Sequence, residues 1–446
     1  MRYLSTRGGD DTDLLTAIMQ GLAPDGGLYV PEELPHFEPE SFRGDSLAEI
    51  ATELLAPFFL DSPLQGVLGS ICQDALNFPV PLRTLEQASD PVSVLELFHG
   101  PTAAFKDVGA RFLAATVERA LPLVSNDDAR PLTILVATSG DTGGAVAAAF
   151  HGRPGIRVGV LFPKGQVSER QQHQLCCWGG NVRAFEVEGT FDDCQAVLKA
   201  ALTDPGLSQR HRLSVANSIN IARLLPQVAY HAAASLWHWR THGTPAGFIV
   251  PTGNLGNGVA CVWARAMGMP IREVVFAVNA NRTIPEFLVT GVYQARPSQR
   301  TLASAMDVGD PSNMERLRYL LPNLGELRQT VDAYPVDDDA IREQIARDDQ
   351  RYEEVWCPHT ATGFWVYDHL PEAQRKSLPW IICATAHPAK FETITEAITA
   401  HSVPVPASLQ ALLDRPTSSV PLKAELEYLA LELDQWDTGA TESAPA

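Results

Sequence analysis

The chain has 446 residues, of which 45% are hydrophobic and 20% are charged, and its formal net charge is −19. This length suits two or three domains with a large buried core, so the fold needs no disulfides or metals for stability. A strongly acidic chain repels nucleic-acid phosphates and anionic lipid surfaces, which argues against both classes of partner.

The cysteines and the N-terminus bear on the compartment. Seven cysteines are present, an odd number, and no two are spaced as C-x-x-C. Free thiols in a reducing cytosol are the simplest interpretation, so we expect a cytoplasmic protein without a metal site. The N-terminus "MRYLSTRGGDDTD" lacks the apolar core of a secretory signal, and no run of about 18 apolar residues predicts a membrane span.

The first ninety residues mix helical periodicity with turns. Apolar residues recur at helical spacing in "LLTAIMQGL" until "PDGG" ends the pattern, and "LYV" is a strand candidate. "SLAEIATELLAPFF" predicts a second helix. We therefore treat 1–90 as an N-terminal region.

From residue 91 onward, apolar strands alternate with helices. This alternation predicts an α/β fold built on parallel sheets with helices on both faces. The charged segment 311–355 predicts a solvated helical layer, and the end of the chain, 431–446, predicts a disordered tail. The predicted strands are 92–98, 132–138, 156–163, 182–188, 246–253, 274–280 and 380–385.

In open parallel sheets, ligands bind where strands end and helices begin. "PTGNLGNG" (251–258) follows a predicted strand, and its glycines let backbone N–H groups approach a phosphate at a helix N-terminus. A tight turn for helix–sheet packing explains the same glycines. The loop lacks the G-x-G-x-x-G spacing of a dinucleotide fold and the Lys-Ser/Thr pair of a P-loop, which disfavours both.

Four other segments carry polar residues near strand ends or helix starts. "ATSGDTGG" (137–144) clusters hydroxyl and N–H groups, which suits a small carboxylate, although a simple N-cap gives the same pattern. "NSINIARLLPQ" (217–227) offers an arginine fork for phosphate, with capping and a surface arginine as the alternative. "ATAHPAKF" (384–391) and "CPHTATG" (357–363) carry hydroxyls for which a structural role is the ordinary reading.

Lys106 in "HGPTAAFKDVG" (99–109) follows a run of small and apolar residues and begins a helical pattern. Taken alone, it reads as a surface lysine whose stem packs on apolar residues. A desolvated lysine, however, has a lowered pKa and forms Schiff bases readily. Such a lysine, a phosphate loop and a carboxylate loop, all at strand ends, are what a pyridoxal-phosphate enzyme acting on an amino acid requires.

Nine motifs, in order along nearly the whole chain, resemble those of the threonine synthase family of fold-type II pyridoxal-phosphate enzymes. The resemblance implies two parallel α/β domains after the N-terminal region. A large cofactor domain comprises 91–107 and 213–430, and a small α/β domain, 108–212, is inserted into it. The motifs are "YLSTRG", "GLAPDGGLYVP", "ELFHGPTAAFKD", "TSGDTGG", "NSINIAR", "PTGNLGN", "DPSNMERL", "PHTATG" and "ATAHPAKF".

The resemblance also implies the cofactor, pyridoxal 5'-phosphate, and its ligands. By it, Lys106 forms the Schiff base and Thr385 faces the pyridine nitrogen. The residues implied to hold the cofactor phosphate are Gly253, Asn254, Leu255, Gly256 and Asn257.

The implied reaction converts O-phospho-L-homoserine and water to L-threonine and phosphate. The resemblance assigns the substrate carboxylate to Ser139, Gly140, Asp141 and Thr142. It assigns the substrate phosphate to Asn217, Ser218 and Arg223. His99, His359 and the pair Ser312–Asn313 lie in the motifs without an assigned role.

Two other functions start from the same residues. A pyridoxal-phosphate phospholyase or dehydratase would release 2-oxobutyrate and ammonia, because the difference is only whether water adds at Cβ. A ligand-binding protein without catalysis is the second, and the presence of Lys106 argues against it. The expected partner is the small-molecule substrate, and the expected assembly is a monomer or homodimer.

Overall fold

The computed structural model describes residues 1–86, 92–124, 130–138 and 140–438 of the chain. The strands are β1 (Tyr3–Ser5), β2 (Tyr29–Pro31), β3 (Leu82–Thr84), β4 (Val92–Glu96), β5 (Leu132–Ala137), β6 (Ile156–Pro163), β7 (Val182–Glu188), β8 (Arg212–Val215), β9 (Ala246–Pro251), β10 (Ile271–Val278), β11 (Val331–Pro335), β12 (Trp380–Ala384) and β13 (Val420–Lys423).

The helices between and after these strands cover both sheet faces. They are α1 (Leu14–Gln20), α2 (Leu47–Leu55), α3 (Leu68–Ala75), α4 (Lys106–Val124), α5 (Asp141–Phe150), α6 (Glu169–Cys176), α7 (Phe191–Thr203), α8 (Pro205–Arg210), α9 (Ile221–His242), α10 (Gly256–Ala266), α11 (Thr283–Thr290), α12 (Met314–Leu320), α13 (Leu324–Thr330), α14 (Asp338–Tyr352), α15 (Pro358–His369), α16 (Glu372–Ser377), α17 (Glu392–Thr399), α18 (Ala407–Leu413) and α19 (Leu426–Thr438). Short 3-10 turns lie at Pro39–Ser41, Ala56–Phe59, Gln65–Val67, Ser304–Met306 and Pro388–Phe391.

The described residues build two large sheets. The six-stranded sheet has the order β11-β10-β9-β12-β4-β3, and only β3 runs antiparallel to its neighbour. The five-stranded sheet, β13-β7-β6-β5-β8, is parallel throughout. The predicted α/β fold class is confirmed.

The central strands are buried on both faces, as parallel sheets require. In β9, Phe248 and Val250 belong to a core shared with α9 and α10, whereas Ile249 belongs to a second core with α14 and α15. This two-sided burial explains why the sequence of such strands reads as a continuous apolar run.

The order of the strands positions the site. Strands β9, β12 and β4 are adjacent and parallel, so their carboxyl ends lie at one edge of the sheet. The loop before Lys106 follows β4, Gly253 follows β9, and Thr385 follows β12. In the other sheet, β5 and β8 are neighbours, and they end before Gly140 and Asn217.

In the two large sheets, four short strands escape prediction from the sequence, namely β3, β8, β11 and β13. All four lie at sheet edges, where a strand pairs on one side only. Such a strand stays partly exposed and lacks the long apolar run of a central strand. In β13, "VPLK", only Leu422 is buried.

The end of the chain differs from the prediction. The disordered tail expected at 431–446 is wrong for 431–438, which complete α19 and bury Leu433 and Trp436 against the five-stranded sheet. The remaining tail residues lie outside the described ranges. Because β13 pairs with β7, and β8 crosses the boundary expected at 212, the five-stranded sheet takes strands from the segment 213–430 expected in the large domain.

The N-terminal region packs onto the rest of the molecule. Strands β1 and β2 pair antiparallel, and α2 and α3 pack against α9 and α4. Arg316 ties this region to the core, since its buried guanidinium donates to the carbonyls of Tyr29 and Ile219. None of the described helices is long and apolar enough to cross a membrane.

Candidate active site

Lys106 is the first residue of α4, at the edge where the strand ends converge. It is partly exposed, while the next residue, Asp107, is fully buried and accepts from the Thr102 N–H and hydroxyl at 2.8 and 2.7 Å. Desolvation by the surrounding atoms lowers the pKa of Lys106 to about 8, opposed by Asp141 and reinforced by Arg223 and Lys390. The Lys106 amine therefore loses its proton more readily than the amine of an ordinary surface lysine.

Backbone hydrogen bonds bring Lys106 and Thr385 together. The Phe105 N–H donates to the Thr385 carbonyl at 2.7 Å, and Ala104 forms an antiparallel bridge with Ala386. The Thr385 N–H donates to Thr360 Oγ1 at 3.1 Å. The lysine loop and the end of β12 thus form one hydrogen-bonded unit.

The predicted phosphate loop leads directly into the N-terminus of α10. Leu255 takes a left-handed conformation (φ 59°) and Gly256 begins the helix, so the first N–H groups of α10 lack intrahelical acceptors. Gly253 must be glycine, because a Cβ there would lie 2.5 Å from Met306 Cα. A Cβ at Gly256 would meet polar side-chain atoms of Gln227 and Asn313 at 3.7–3.8 Å, so polar groups flank the start of α10.

The side chains of this loop are engaged by the protein. Asn257 is buried and accepts from Tyr230 and donates to the Pro251 carbonyl, at 2.5 and 3.1 Å. Asn254 donates to Ser218 Oγ at 2.7 Å and accepts from the Ser312 N–H at 2.6 Å. The loop therefore offers a ligand mainly backbone N–H groups.

Asn313 supports the phosphate loop from the side of α12. Its Nδ2 donates to the Asn254 carbonyl at 2.9 Å, and its Oδ1 accepts from Arg316 Nη1 at 2.8 Å. Both Asn313 and Arg316 are fully buried. The pair Ser312–Asn313, which the sequence left without a role, is thus part of the wall of this loop.

Arg223, in the first turn of α9, is almost completely buried. Its Nη1 donates to the Ala216 carbonyl, while its Nε has no acceptor among the described residues. Burial lowers the pKa of Arg223 to about 10, which leaves it cationic at neutral pH. Asn217, next to Ala216, also has a buried Oδ1 without a protein partner in the described part of the chain.

The N-terminus of α5 lies at the end of β5. Gly140 precedes the helix with φ 145°, and a Cβ there would lie 2.5 Å from Gln171 Nε2. The buried Thr138 hydroxyl accepts from the N–H groups of Gly140 and Gly143 at 3.0 and 2.9 Å. Ser139 lies outside the described residues, and Thr142 is partly exposed.

Asp141 already has partners. Its Oδ1 lies 2.8 Å from Lys390 Nζ and accepts from Gln171 Nε2 at 3.2 Å. Burial alone would raise the pKa of Asp141, but the Lys390 and Lys106 ammonium groups outweigh it and hold that pKa well below its usual range. The Asp141 side chain is therefore engaged by the protein, and the predicted contact of Asp141 with a substrate carboxylate stays a prediction that its backbone N–H at the start of α5 could meet.

The histidines of the motifs have distinct environments. His359 is buried, its Nε2 accepts from the Ala305 N–H at 3.0 Å, and burial lowers its pKa to about 4. His359 Nδ1 has no acceptor or donor among the described residues. His99 pairs with Glu96 at 2.7 Å, and Glu96 also binds Arg83 at 2.9 Å. His359 therefore borders the site, whereas His99 contacts Glu96, which forms an ion pair with Arg83.

Three family descriptions cover most of the chain. Residues 2–76 match "Threonine synthase N terminus", 75–378 match "Pyridoxal-phosphate dependent enzyme", and 360–430 match "Threonine synthase, C-terminal". Threonine synthase of Escherichia coli (strain K12) is 36% identical over 418 residues, which are 93% of this chain and 94% of that protein. The chain belongs to the threonine synthase family.

Solved structures of threonine synthases agree along the whole chain. The pyridoxal-phosphate-bound threonine synthase of Brucella melitensis is 34% identical, with a TM-score of 0.88 over 98% of this chain and 99% of that chain. The yeast threonine synthase is 27% identical, with a TM-score of 0.90 over 99% of both chains. The family fold therefore includes the N-terminal region and the C-terminal segment that contains β13 and α19.

The residues at this site fit the cofactor of the threonine synthase family. A partly exposed lysine with a lowered pKa and free N–H groups at the start of α10 are features that pyridoxal phosphate needs. The orphaned atoms Arg223 Nε and His359 Nδ1 are polar groups that a bound ligand would satisfy.

Sequence reasoning missed several residues of this site. Thr360 and Asn313 stood in motifs for which no role was assigned, and Lys390 stood in a quoted motif without being singled out. Lys390 in "PAKF" follows small or apolar residues at a strand end, as Lys106 does in "AAFK", and that shared context was the available signal. Tyr230 and His231, which hold Asn257, gave no signal because they read as core positions of α9.

Proposed function

We propose that this protein catalyses the pyridoxal-phosphate-dependent conversion of O-phospho-L-homoserine and water to L-threonine and phosphate, the last step of threonine biosynthesis. The observation that carries the proposal is the convergence of three adjacent strand ends. They supply Lys106 with its lowered pKa, Thr385 bonded to the lysine loop, and the open N-terminus of α10. Family membership supports the same reaction and cofactor.

When bound, pyridoxal phosphate supplies an electron sink for negative charge that develops beside the substrate amine. Lys106 would hold it covalently, and Thr385 would face its ring nitrogen. The N–H groups at Gly256 and Asn257 would bind its phosphate, with Gly253, Asn254 and Leu255 shaping the loop.

Lys106 is suited to move protons at the substrate. With a pKa of about 8, its amine can accept protons from Cα and Cβ and return protons at Cγ and Cα near neutral pH. Thr142 and the N–H groups at the start of α5 would bind the substrate carboxylate, because the Asp141 side chain is paired with Lys390.

Arg223 is suited to the substrate phosphate. It remains cationic, and its Nε has no acceptor among the described residues, so it can stabilise the negative charge that leaves from Cγ. Asn217 and Ser218 lie in the loop that precedes α9, and Ser218 connects that loop to Asn254.

The test is a product assay with the purified full-length protein and O-phospho-L-homoserine. We expect equal amounts of threonine and phosphate from the wild type. Lys106→Ala should yield neither product nor the cofactor absorbance, whereas Lys164→Ala, at an exposed surface lysine, should match the wild type. Release of 2-oxobutyrate without threonine would replace the proposal with a phospholyase or dehydratase.

The remaining predictions concern the setting of the enzyme. All seven cysteines are free and buried, which supports a location in a reducing compartment, and we propose the cytoplasm. A monomer or homodimer is the proposed assembly, and size-exclusion chromatography with light scattering tests it.

A further inference from the structure

Lys390 is a second buried lysine at the site, with no exposed side-chain surface. It lies in the 3-10 turn Pro388–Phe391 that follows β12. Its Nζ is 2.8 Å from Asp141 Oδ1 and donates to the Thr102 carbonyl at 2.7 Å. A lysine is rarely buried this completely unless its charge is paired.

The contacts of Lys390 join three segments around Lys106. Asp141 is the first residue of α5, which follows β5 of the five-stranded sheet. Lys390 lies in the turn that follows β12 of the six-stranded sheet. Thr102 stands four residues before Lys106 and also binds the buried Asp107. One ammonium group therefore links both sheets to the lysine loop.

The charged and titratable groups that act on Lys106 come from four different elements. They are Asp141 on α5, Arg223 on α9, His359 on α15 and Lys390 in the turn after β12. Asp141 is the single carboxylate among them, and it attracts both lysines. Whichever ammonium group pairs with Asp141 is held in its protonated form.

We propose that Lys390 is a positioning residue for Lys106: its ammonium holds the Asp141 carboxylate and thereby leaves the Lys106 amine free to lose its proton near neutral pH. The 2.8 Å pair and its complete burial carry this inference. It rests on the proposed function only in taking Lys106 as the lysine that binds the cofactor.

Removing the charge of Lys390 and removing the charge of Asp141 should change the pKa of Lys106 in opposite directions. Lys390→Gln keeps a donor for the Thr102 carbonyl but removes the charge, so Asp141 would pair with Lys106 and raise its pKa by about one unit or more. Asp141→Asn leaves a second cation near Lys106 and should lower its pKa by a similar amount. The double variant removes both charges and should return the pKa close to the wild-type value, and Lys390→Arg should preserve it.

The experiment measures the Lys106 pKa in full-length apoprotein. Competitive acetylation from pH 6 to 10, with mass spectrometry of the peptide that contains Lys106, gives the value directly and needs no catalysis. The rate at which added pyridoxal phosphate gives its protein-bound absorbance should follow the same pH dependence. Circular dichroism checks that each variant is folded.

An unchanged Lys106 pKa in folded Lys390→Gln would overturn the inference. If that variant does not fold, Asp141→Asn decides, and an unchanged or raised pKa there would also overturn it. The proposed function fails differently, because it requires loss of cofactor binding in Lys106→Ala. The labelling result does not depend on that outcome.

Discussion

The backbone N–H of Phe105 donates to the carbonyl oxygen of Thr385 at 2.7 Å, which joins the segment before Lys106 to the end of β12. Thr385 is in turn held by α15, since its own N–H donates to Thr360 Oγ1 at 3.1 Å. These two hydrogen bonds join three segments, namely the loop before α4, the end of β12 and the start of α15. The placement of Thr385 at the proposed cofactor ring therefore depends on a hydroxyl group from α15.

Thr360→Val should weaken pyridoxal-phosphate binding about tenfold, because the buried Thr385 N–H loses its acceptor at a cost of roughly 1–3 kcal/mol. Titration of full-length apoprotein by absorbance measures the effect. Thr362→Val is the matched control, since the Thr362 hydroxyl donates only within α15, to the His359 carbonyl at 2.7 Å. Equal weakening in both variants would contradict the assigned role of Thr360.

Asn313→Ala should also weaken cofactor binding, again by about tenfold, because the Asn254 carbonyl loses its donor and the buried Arg316 loses an acceptor. The dissociation constant of the cofactor is the measurement. Ser312→Ala controls for position, since Ser312 reaches Asn254 through its backbone N–H and its side chain is exposed. A cofactor affinity of Asn313→Ala equal to that of Ser312→Ala would count against a support role.

Arg223→Lys should lower kcat/KM for O-phospho-L-homoserine by about 100-fold, because one charge-assisted donor to the phosphate is lost in the transition state. Cofactor absorbance should remain at the wild-type level. Steady-state kinetics and the spectrum are measured on the same preparation. A loss of cofactor together with activity would instead assign Arg223 to the fold of the cofactor site.

Asp348→Asn should stabilise the protein at high pH. Asp348 is fully buried, and burial raises its pKa to about 7 despite a hydrogen bond from Gln344. Between about pH 4 and 7 the folded chain keeps a proton that the unfolded chain has lost, so this group makes stability fall as pH rises, by at most about 1.4 kcal/mol per pH unit.

Urea unfolding at several pH values measures this effect. The stability of Asp348→Asn minus that of the wild type should grow from pH 4.5 to 7 and stay constant above 7. Asp339→Asn, at an exposed position of the same helix, controls for the amide substitution. A difference that shrinks as pH rises would have the wrong sign for a carboxylic acid whose pKa is raised by burial.

The sequence predicted the central strands well because burial on both faces leaves a continuous apolar run. The prediction of β6 and β7 matches the structure at both ends. The edge strands were not predicted because they lack this two-sided burial. Strands β11 and β13 are partly exposed, so their sequences resemble the polar segments around them. The residues 431–438 of α19 were not predicted to be helical. In the sequence Leu433 and Trp436 are isolated apolar residues, and only the fold shows that they pack against the five-stranded sheet.

By itself, the sequence determined the alternating α/β pattern, the lysine and glycine loops at strand ends, and a resemblance that named the family, because these features are local or ordered along the chain. Only the tertiary structure decided which charges meet. Asp141 and Lys390 are 249 positions apart, and their 2.8 Å pair exists because two sheets place α5 and the turn after β12 side by side. Pairing over such a separation depends on strand order, and strand order is a property of the folded sheets.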